Sequence, residues 1–159
     1  MASVSDDIEN WILNFLSIPS KAFNGLPPCP YAKQVWLSDR AKVIEIDNDV
    51  DRYIESVIQA SIKSWPDNCD VVILVTDPKL FTGKQLDEMC IAASNEDYVL
   101  LWDHPNNEEI VDDVKLNHGK YALTFIQPRR ELELARKHLE EQGYYKNFTK
   151  EYKEDIIDR

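Results

Sequence analysis

The stretch Val71-Val72-Ile73-Leu74-Val75 is the most apolar run in the chain. Its apolar residues do not alternate with polar ones, which is typical of a strand covered by other elements on both faces. Segments with helical periodicity stand before it, at residues 48–65, and after it, at residues 82–93. A covered strand between two helices predicts the centre of an α/β sheet, and the rest of the chain is interpreted around it.

Further strands and helices are predicted on both sides of this run. Strands are predicted over residues 42–46, 71–75, 98–102 and 121–126, and helices over 5–16, 31–37, 48–65, 82–93 and 128–142. The last two strands are expected to be antiparallel. The main element order is therefore α-β-α-β-α-β-β-α, which predicts a single α/β domain over residues 1–159. Its sheet would have four strands, mixed and partly parallel, flanked by helices.

Two other folds and two segments stay open. A thioredoxin-like variant shares the βαβαββα run, although its Cys-Pro motif follows the first strand and Cys29 precedes it here. A ferredoxin-like α+β fold is the other alternative. The acidic connection 106–118 is compatible with a short helix. Residues 144–159 are expected either as a last, loosely attached amphipathic helix or as a frayed end.

The charge and composition limit the class of protein. The formal net charge is −11, and a field of that sign repels phosphate backbones and anionic membranes. No apolar run approaches the roughly 20 residues that a membrane-spanning helix needs. The first residues are acidic rather than basic, and the three cysteines are widely separated. We therefore expect a cytoplasmic protein that binds neither nucleic acid nor membranes.

The loop Leu26–Ala32, with the sequence Leu-Pro-Pro-Cys-Pro-Tyr-Ala, is the stiffest in the chain because three prolines fix its backbone around Cys29. Its Cys-Pro-Tyr-Ala motif is similar to the Cys-Pro-Tyr-Cys of glutaredoxins. Ala32 replaces the second cysteine, which excludes a dithiol mechanism through this motif. Cys29 is either a thiolate favoured by a short helix that begins near Tyr31, or a small apolar residue packed under the prolines.

Acidic residues follow three predicted strands: Asp47, Asp77, and Asp103 with His104. Ligands of parallel α/β sheets bind outside the carboxyl ends of the strands. If the strands run in the same direction, these side chains approach one edge, where carboxylates and an imidazole can bind a divalent metal or act as acid and base. The alternative is that the aspartates are ordinary turn and cap residues, which is the expected role of Asp47.

The segments Leu26–Lys33, Val72–Pro78 and Leu100–Pro105 together resemble the motifs of an uncharacterised bacterial family, a domain of unknown function. Its members have a helix followed by Leu-Cys-Pro-Phe-Ala and then strands that end in His-Pro. The resemblance spans about residues 8–105. It implies that Cys29, Asp77 and His104 occupy three signature positions, with Asp77 where the family has His.

The sequence thus supports three hypotheses of function. In the first, a polar pocket of Cys29, Asp77, Asp103 and His104 binds a metal ion or small ligand. Cys29 and His104 would be the catalytic pair, as thiolate and base, and the metal ligands would be Asp77, Asp103 and His104. In the second, the chain is a non-enzymatic acidic binding or regulatory module whose loop 108–113 and aromatic C-terminus contact a protein partner. In the third, the signature residues only hold loops together.

Overall fold

The computed structural model describes residues 2–157. Its α-helices are α1 (Val4–Trp11), α2 (Ala32–Leu37), α3 (Tyr53–Lys63), α4 (Gly83–Ala93), α5 (Arg129–Glu141) and α6 (Lys150–Ile157). Its strands are β1 (Ala41–Ile46), β2 (Val71–Thr76), β3 (Tyr98–Asp103), β4 (Ile110–Val111), β5 (Val114–Lys115) and β6 (Ala122–Pro128). A π-helical turn, Ile12–Leu16, continues α1, and short 3-10 turns occupy Lys21–Phe23 and Val50–Arg52.

The main sheet has four strands in the order β1-β2-β6-β3. β1 and β2 are parallel, whereas β6 is antiparallel to both β2 and β3. β1, β2 and β3 therefore run in the same direction, and their carboxyl ends meet one edge. The predicted four-stranded mixed sheet of an α/β fold is confirmed, including the antiparallel pairing of the last two main strands. The parallel β1/β2 pair also distinguishes this sheet from the antiparallel sheet of a ferredoxin-like fold.

One face of the sheet, which we call the packed face, is covered by α3 and α4. Val72 and Leu74 of β2, Leu100 of β3 and Ile126 of β6 are all completely buried on it, packed against Ile54 and Ile58 of α3 and Cys90 of α4. The helices present these residues at helical spacing, and the strands present them at every second position. Burial of this kind stabilises the fold by about 1.5–3 kcal/mol for each large apolar side chain.

The opposite face, which we call the open face, is covered by α1 and α2 only in part. Ile8 and Ile12 pack there against Ile73 and Val75 of β2 and Leu123 of β6. β2 is therefore covered on both sides, as its unbroken apolar sequence predicts. Towards β3 the cover is incomplete, because Leu101 and Phe125 on the same face are only half-buried.

The C-terminal segment packs against the N-terminal loop. α5 ends before Gly143, whose φ of +75° suits a residue without a side chain and turns the chain back. Tyr144 and Tyr145 are then buried, and the Tyr144 ring lies 5.1 Å from the ring of Phe23. The segment 144–157 is therefore packed rather than loosely attached, and α6 is the helix expected there. Residues 158 and 159 of the predicted tail lie outside the described residues.

Two local predictions differ from the structure. The connection 106–118 contains the β4/β5 hairpin instead of a short helix, because Asp112 and Asp113 both adopt left-handed backbone angles, which suit a two-residue hairpin turn. α3 begins at Tyr53, later than predicted, after two residues with positive φ, although Asp49 still accepts a hydrogen bond from the amide of Ile54. Among the described residues, none of the helices combines the length and apolar character that crossing a membrane requires.

Candidate functional site

The acidic residue after β2, Asp77, forms a turn and faces solvent. Its carboxylate accepts a hydrogen bond from the amide of Lys79 at 2.8 Å, and its carbonyl accepts one from the amide of Leu80 at 2.9 Å. This is the Asx-type turn in which aspartate is favoured after any strand. In this structure Asp77 therefore has the turn role that the sequence left as the alternative.

His104 is buried, and both of its ring nitrogens are used by the backbone. Nε2 lies 3.0 Å from the carbonyl oxygen of Pro78 and 2.8 Å from that of Phe81, while Nδ1 accepts a hydrogen bond from the amide of Asn106 at 3.1 Å. Nε2 must then carry the proton and donate it to the carbonyls. The ring ties the β2–α4 loop to the end of β3 and has no lone pair left for a metal or a substrate proton.

Asp103 is also buried, but its side chain lies on the opposite side of the strand end from that of His104. Its carboxylate accepts hydrogen bonds from the Asn117 side chain at 2.6 Å and from the amide of His118 at 2.9 Å. Burial raises the pKa of this carboxyl group, and the two hydrogen bonds oppose that shift. Asn117 connects the whole turn, because its side chain also bonds to the carbonyls of His104 and Asn107 and to the amide of Glu109.

The metal site predicted from Asp77, Asp103 and His104 is not formed. Within residues 2–157, no three or more His, Cys, Asp or Glu side chains are grouped so that they could hold a metal ion. The physical reason is local: after β2 the carboxylate turns back onto its own loop, and after β3 the Asp and His side chains point to opposite sides of the strand end. Adjacent residues of a strand have this alternation.

The Cys29 loop is stiff, as its prolines predict, and it is anchored to both ends of the chain. The Cys29 amide donates to the carbonyl of Leu16 at 2.9 Å, and the Tyr144 hydroxyl donates to the carbonyl of Pro28. Burial raises the pKa of the Cys29 thiol, and the nearby amides of Tyr31 and Ala32 offset this shift only in part. The lowered pKa expected from the start of α2 is therefore not found, because desolvation outweighs the amides.

A groove of about 670 Å³ opens on the open face, between the Cys29 loop and the C-terminal helices. Its floor is formed by Leu101 of β3 and by Phe125 and Gln127 of β6. The walls come from the end of α1, the Cys29 loop, α2, α5, the turn after α5, and α6. Cys29 and Asp103 both line this groove, whereas Asp77 and His104 do not. The structure thus brings together two of the four predicted site residues.

The polar groups of the groove come mainly from the C-terminal segment. Tyr144, Tyr145 and Tyr152 line it together with Glu109 and Arg136. The Tyr152 hydroxyl donates to the Glu109 carboxylate at 3.3 Å, and the Arg136 guanidinium donates to the carbonyl of Ile156 at 2.5 Å. Burial raises the pKa of all three tyrosines and lowers that of Arg136.

The sequence does not indicate these groove residues as a site. The available signal is the density of aromatic residues in an otherwise charged segment, Tyr144–Ile157. That pattern predicts one face of a final helix or a surface for a partner. In the structure the aromatic side chains face inward, and Phe148 lies between Tyr144 and Tyr152 with ring centres 5.5 and 5.4 Å away.

His118 belongs to a second polar cluster at the edge of the open face. Its ring lies 5.2 Å from that of Trp11 and 5.1 Å from that of Tyr121, and it is half-buried rather than solvent-facing. Asp7 completes the cluster by accepting hydrogen bonds from Lys120 at 2.8 Å and Tyr121 at 2.5 Å. Burial lowers the pKa of His118, although the carboxylates of Asp103 and Asp7 act in the opposite direction.

Another cavity, of about 450 Å³, lies on the packed side between α3 and α4 and is lined by residues such as Glu55, Gln59 and Met89. It contains none of the residues that the sequence predicts for a site. Comparison with known proteins adds no further candidate. No protein-family model, curated protein or solved structure matches this chain.

Proposed function

We propose that this chain binds a small organic molecule with an apolar body in the groove of the open face. The groove carries this proposal because its volume, about 670 Å³, lies in the range of small-molecule sites. Such sites combine mostly apolar walls with a few convergent polar groups. The apolar floor at Leu101 and Phe125, together with the tyrosine hydroxyls above it, has this composition.

The way the groove is built supports binding as its role. Its walls come from both ends of the sequence, and the hydrogen bond from Tyr144 to Pro28 holds those ends together. The prolines keep the Cys29 side of the groove in one conformation before a ligand arrives. A preformed site loses little conformational entropy on binding, which favours affinity for a small molecule.

The catalytic and metal parts of the first hypothesis have less support. Burial raises the pKa of the Cys29 thiol, which disfavours the thiolate that a nucleophilic mechanism needs. Both nitrogens of His104 are committed to backbone groups, so the imidazole is not placed to serve as a general base. Cys29 and Asp103 remain as groove residues that a ligand would contact.

A blocking substitution tests this function. Ala135 lies on the groove side of α5, whereas the neighbouring Leu134 is 60% exposed and does not line the groove. Ala135→Trp would fill the groove with an indole, and Leu134→Trp places the same side chain outside it. Both variants and the wild type are titrated with Nile red, an uncharged dye whose fluorescence rises in apolar sites, after their folding is checked by circular dichroism.

We expect the wild type and Leu134→Trp to bind the dye with equal affinity. Ala135→Trp should bind it at least about tenfold more weakly, since that loss corresponds to about 1.4 kcal/mol of contact. Equal binding by all three folded proteins, or no saturable binding by the wild type, would contradict the proposed function.

A further inference from the structure

We infer that Asp103 selects the ligand of the groove, by accepting a hydrogen bond from a hydroxyl group or another donor at one end of the apolar body of that ligand. This inference rests on the proposed function, because it names the group that a ligand of the same groove would carry. It depends on three observations: where β3 places the Asp103 carboxylate, how many of its hydrogen-bonding positions are occupied, and which donors surround it.

β3 places the Asp103 side chain at the end of the apolar floor. The side chains of a strand alternate between the two faces of a sheet, so Asp103 shares the open face with Leu101, two residues earlier. Its pairing partner in β6 is Leu123, just as Phe125 is the partner of Leu101. Asp103 therefore follows Leu101 where β3 ends, and it lines the groove. The carboxyl ends of strands are also where the ligands of open α/β sheets bind.

The Asp103 carboxylate is buried but keeps positions for further hydrogen bonds. The residue is 4% exposed, and among the described residues no other Asp or Glu is buried to this extent. One oxygen accepts a hydrogen bond from the Asn117 side chain at 2.6 Å, and the other accepts one from the amide of His118 at 2.9 Å. An ionised carboxylate offers about four such positions, so each oxygen can accept one more.

The two hydrogen bonds do not replace all the water that this carboxylate loses on folding. Burial raises the pKa of Asp103 in spite of them, which means that the charged form is less well solvated than it would be in water. A further donor would stabilise the charged form, and hydrogen bonds to a charged group are stronger than those between neutral groups. A ligand donor at this position would therefore gain a strong contact.

The Tyr152 hydroxyl, a donor of the protein on this side of the groove, is directed elsewhere. Burial is the main cause of the raised pKa of Tyr152, and the charges of Glu109 and Asp103 add to it, so both carboxylates lie near this side chain. The hydroxyl nevertheless donates to Glu109, at 3.3 Å. The acceptor at the end of β3 is thus left to Asn117, His118 and a ligand.

The position of Asp103 also disfavours other ligand ends. A carboxylate placed there would be repelled by Asp103, and the repulsion is strong in surroundings of low dielectric. A hydrocarbon or a halogen in the same place would cover the carboxylate without a hydrogen bond, which is unfavourable for a buried charge. The complementary ligand therefore has an apolar body over Leu101 and Phe125 and a donor at the Asp103 end.

Three compounds that share a naphthalene body test this preference: naphthylethanol, naphthylethyl fluoride and naphthylacetate. Fluorine is close in size to the hydroxyl group but donates no hydrogen bond, and naphthylacetate carries a negative charge. Each is titrated into the full chain by calorimetry, with displacement of Nile red as a second readout. We expect the alcohol to bind at least about tenfold more tightly than the fluoride, which is about 1.4 kcal/mol, and naphthylacetate to bind most weakly.

Substitutions then assign the preference to Asp103. Asp103→Asn removes the charge, so the ratio of the alcohol and fluoride affinities should fall to about threefold or less among folded molecules. Asn117→Ser loosens the same turn but keeps the carboxylate, and Asn117 does not line the groove, so this variant should keep the preference for the alcohol. Asp77→Asn makes the same chemical change at an exposed turn outside the groove and should change neither affinity.

A measurement on the wild type covers the case in which Asp103→Asn does not fold. With the aspartate side chains labelled with ¹³C, the carboxyl resonance of Asp103 should move as naphthylethanol is added and stay in place when naphthylethyl fluoride is added. The resonance of Asp77 should not move with either compound.

The outcomes separate this inference from the proposed function. If the fluoride or naphthylacetate binds as tightly as the alcohol, if Asp103→Asn keeps the full preference, or if the Asp103 resonance ignores the bound alcohol, the groove binds small molecules but the inference about Asp103 is wrong. If none of the three compounds binds or displaces Nile red, the proposed function itself fails.

Discussion

Helices cover the two faces of the sheet to different extents. On the packed face, α3 and α4 cover the strands so closely that Leu74, Leu100 and Ile126 are completely buried. On the open face, Leu101 and Phe125 occupy equivalent positions in β3 and β6 but stay half-buried, because the helices stand apart there and leave the groove. Neighbouring residues of one strand thus have different surroundings: Leu100 is buried in the core, and Leu101 forms part of the floor of the groove.

This difference is instructive because apolar surface is costly to expose. Folded chains rarely leave a large apolar patch uncovered without a role in binding. The buried tyrosines around the groove are also expensive to desolvate, and the turn after α5 together with α6 keeps them there. Substitutions on the packed face should therefore change mainly stability, and substitutions on the open face should change mainly binding.

The largest expected effect contrasts two leucines of β3. Leu100→Ala should lower the free energy of unfolding by about 3 kcal/mol, since it leaves a cavity in the closed core. Leu101→Ala removes the same atoms from a half-exposed site and should cost about 1 kcal/mol. Urea unfolding of both variants measures the difference. Equal losses would show that the open face is as tightly packed as the other and would remove the basis of the comparison.

The next effect concerns His104, to which we assign a structural role rather than a role in binding. His104→Leu leaves the carbonyls of Pro78 and Phe81 and the amide of Asn106 without their partner, so unfolding should become easier by about 2 kcal/mol. His138→Leu, at an exposed position of α5, is the control and should change stability little. Among folded molecules, Nile red affinity should stay at the wild-type value. Weaker Nile red binding with unchanged stability would instead indicate that His104 takes part in binding.

A smaller effect is the pH dependence from His118. Burial lowers the pKa of His118 in the folded chain, so the unfolded chain binds the proton more readily. The stability that neutral His118 contributes is therefore present above about pH 6.5, the usual histidine pKa, and is lost as the pH falls below it. His118→Gln should weaken this acid loss in urea unfolding between about pH 7 and 5, and His138→Gln should leave it unchanged. An identical pH profile for His118→Gln and the wild type would contradict the burial of this ring.

The smallest effect is expected at Cys29, which lines the groove. Because burial raises the pKa of the thiol, its alkylation by iodoacetamide should accelerate only above about pH 8.5, the usual cysteine value. Mass spectrometry separates its rate from those of Cys69 and Cys90. Cys29→Ser should leave Nile red affinity within about twofold, which is less than about 0.5 kcal/mol. A midpoint of alkylation below about pH 7 would restore the thiolate hypothesis.

The sequence predicts the packed face better than the open one. The unbroken apolar run of β2 and the periodicity of the helices on either side of it contain the information that a covered sheet requires, and the four-stranded mixed sheet is found. The groove depends on where α5 and α6 pack, over contacts such as Tyr144 with Pro28 that join residues more than a hundred positions apart. Neither spacing nor periodicity carries such information.

The strand-end hypothesis shows the same limit within single residues. The sequence places Asp77, Asp103 and His104 at one edge, and the common direction of β1, β2 and β3 agrees with this. The sequence does not reveal how each of these side chains is oriented. That orientation is set by local hydrogen bonds, from Lys79 to Asp77 and from Asn117 to Asp103, which compete with any shared site.

The most direct measurement of the central claim is a two-dimensional ¹H–¹⁵N spectrum recorded while naphthylethanol, an uncharged compound with an aromatic body, is added. Three of the indole N–H groups report on different places: Trp11 lines the groove, Trp36 bonds to Glu9 outside it, and Trp65 bonds to the carbonyl of Cys69 on the packed side. We predict saturable shifts of the Trp11 indole and the Ala135 amide, with the Trp65 indole unchanged. Shifts of the Trp65 indole or of Gln59 and Met89, with Trp11 and Ala135 unmoved, would place binding on the packed side and contradict the account.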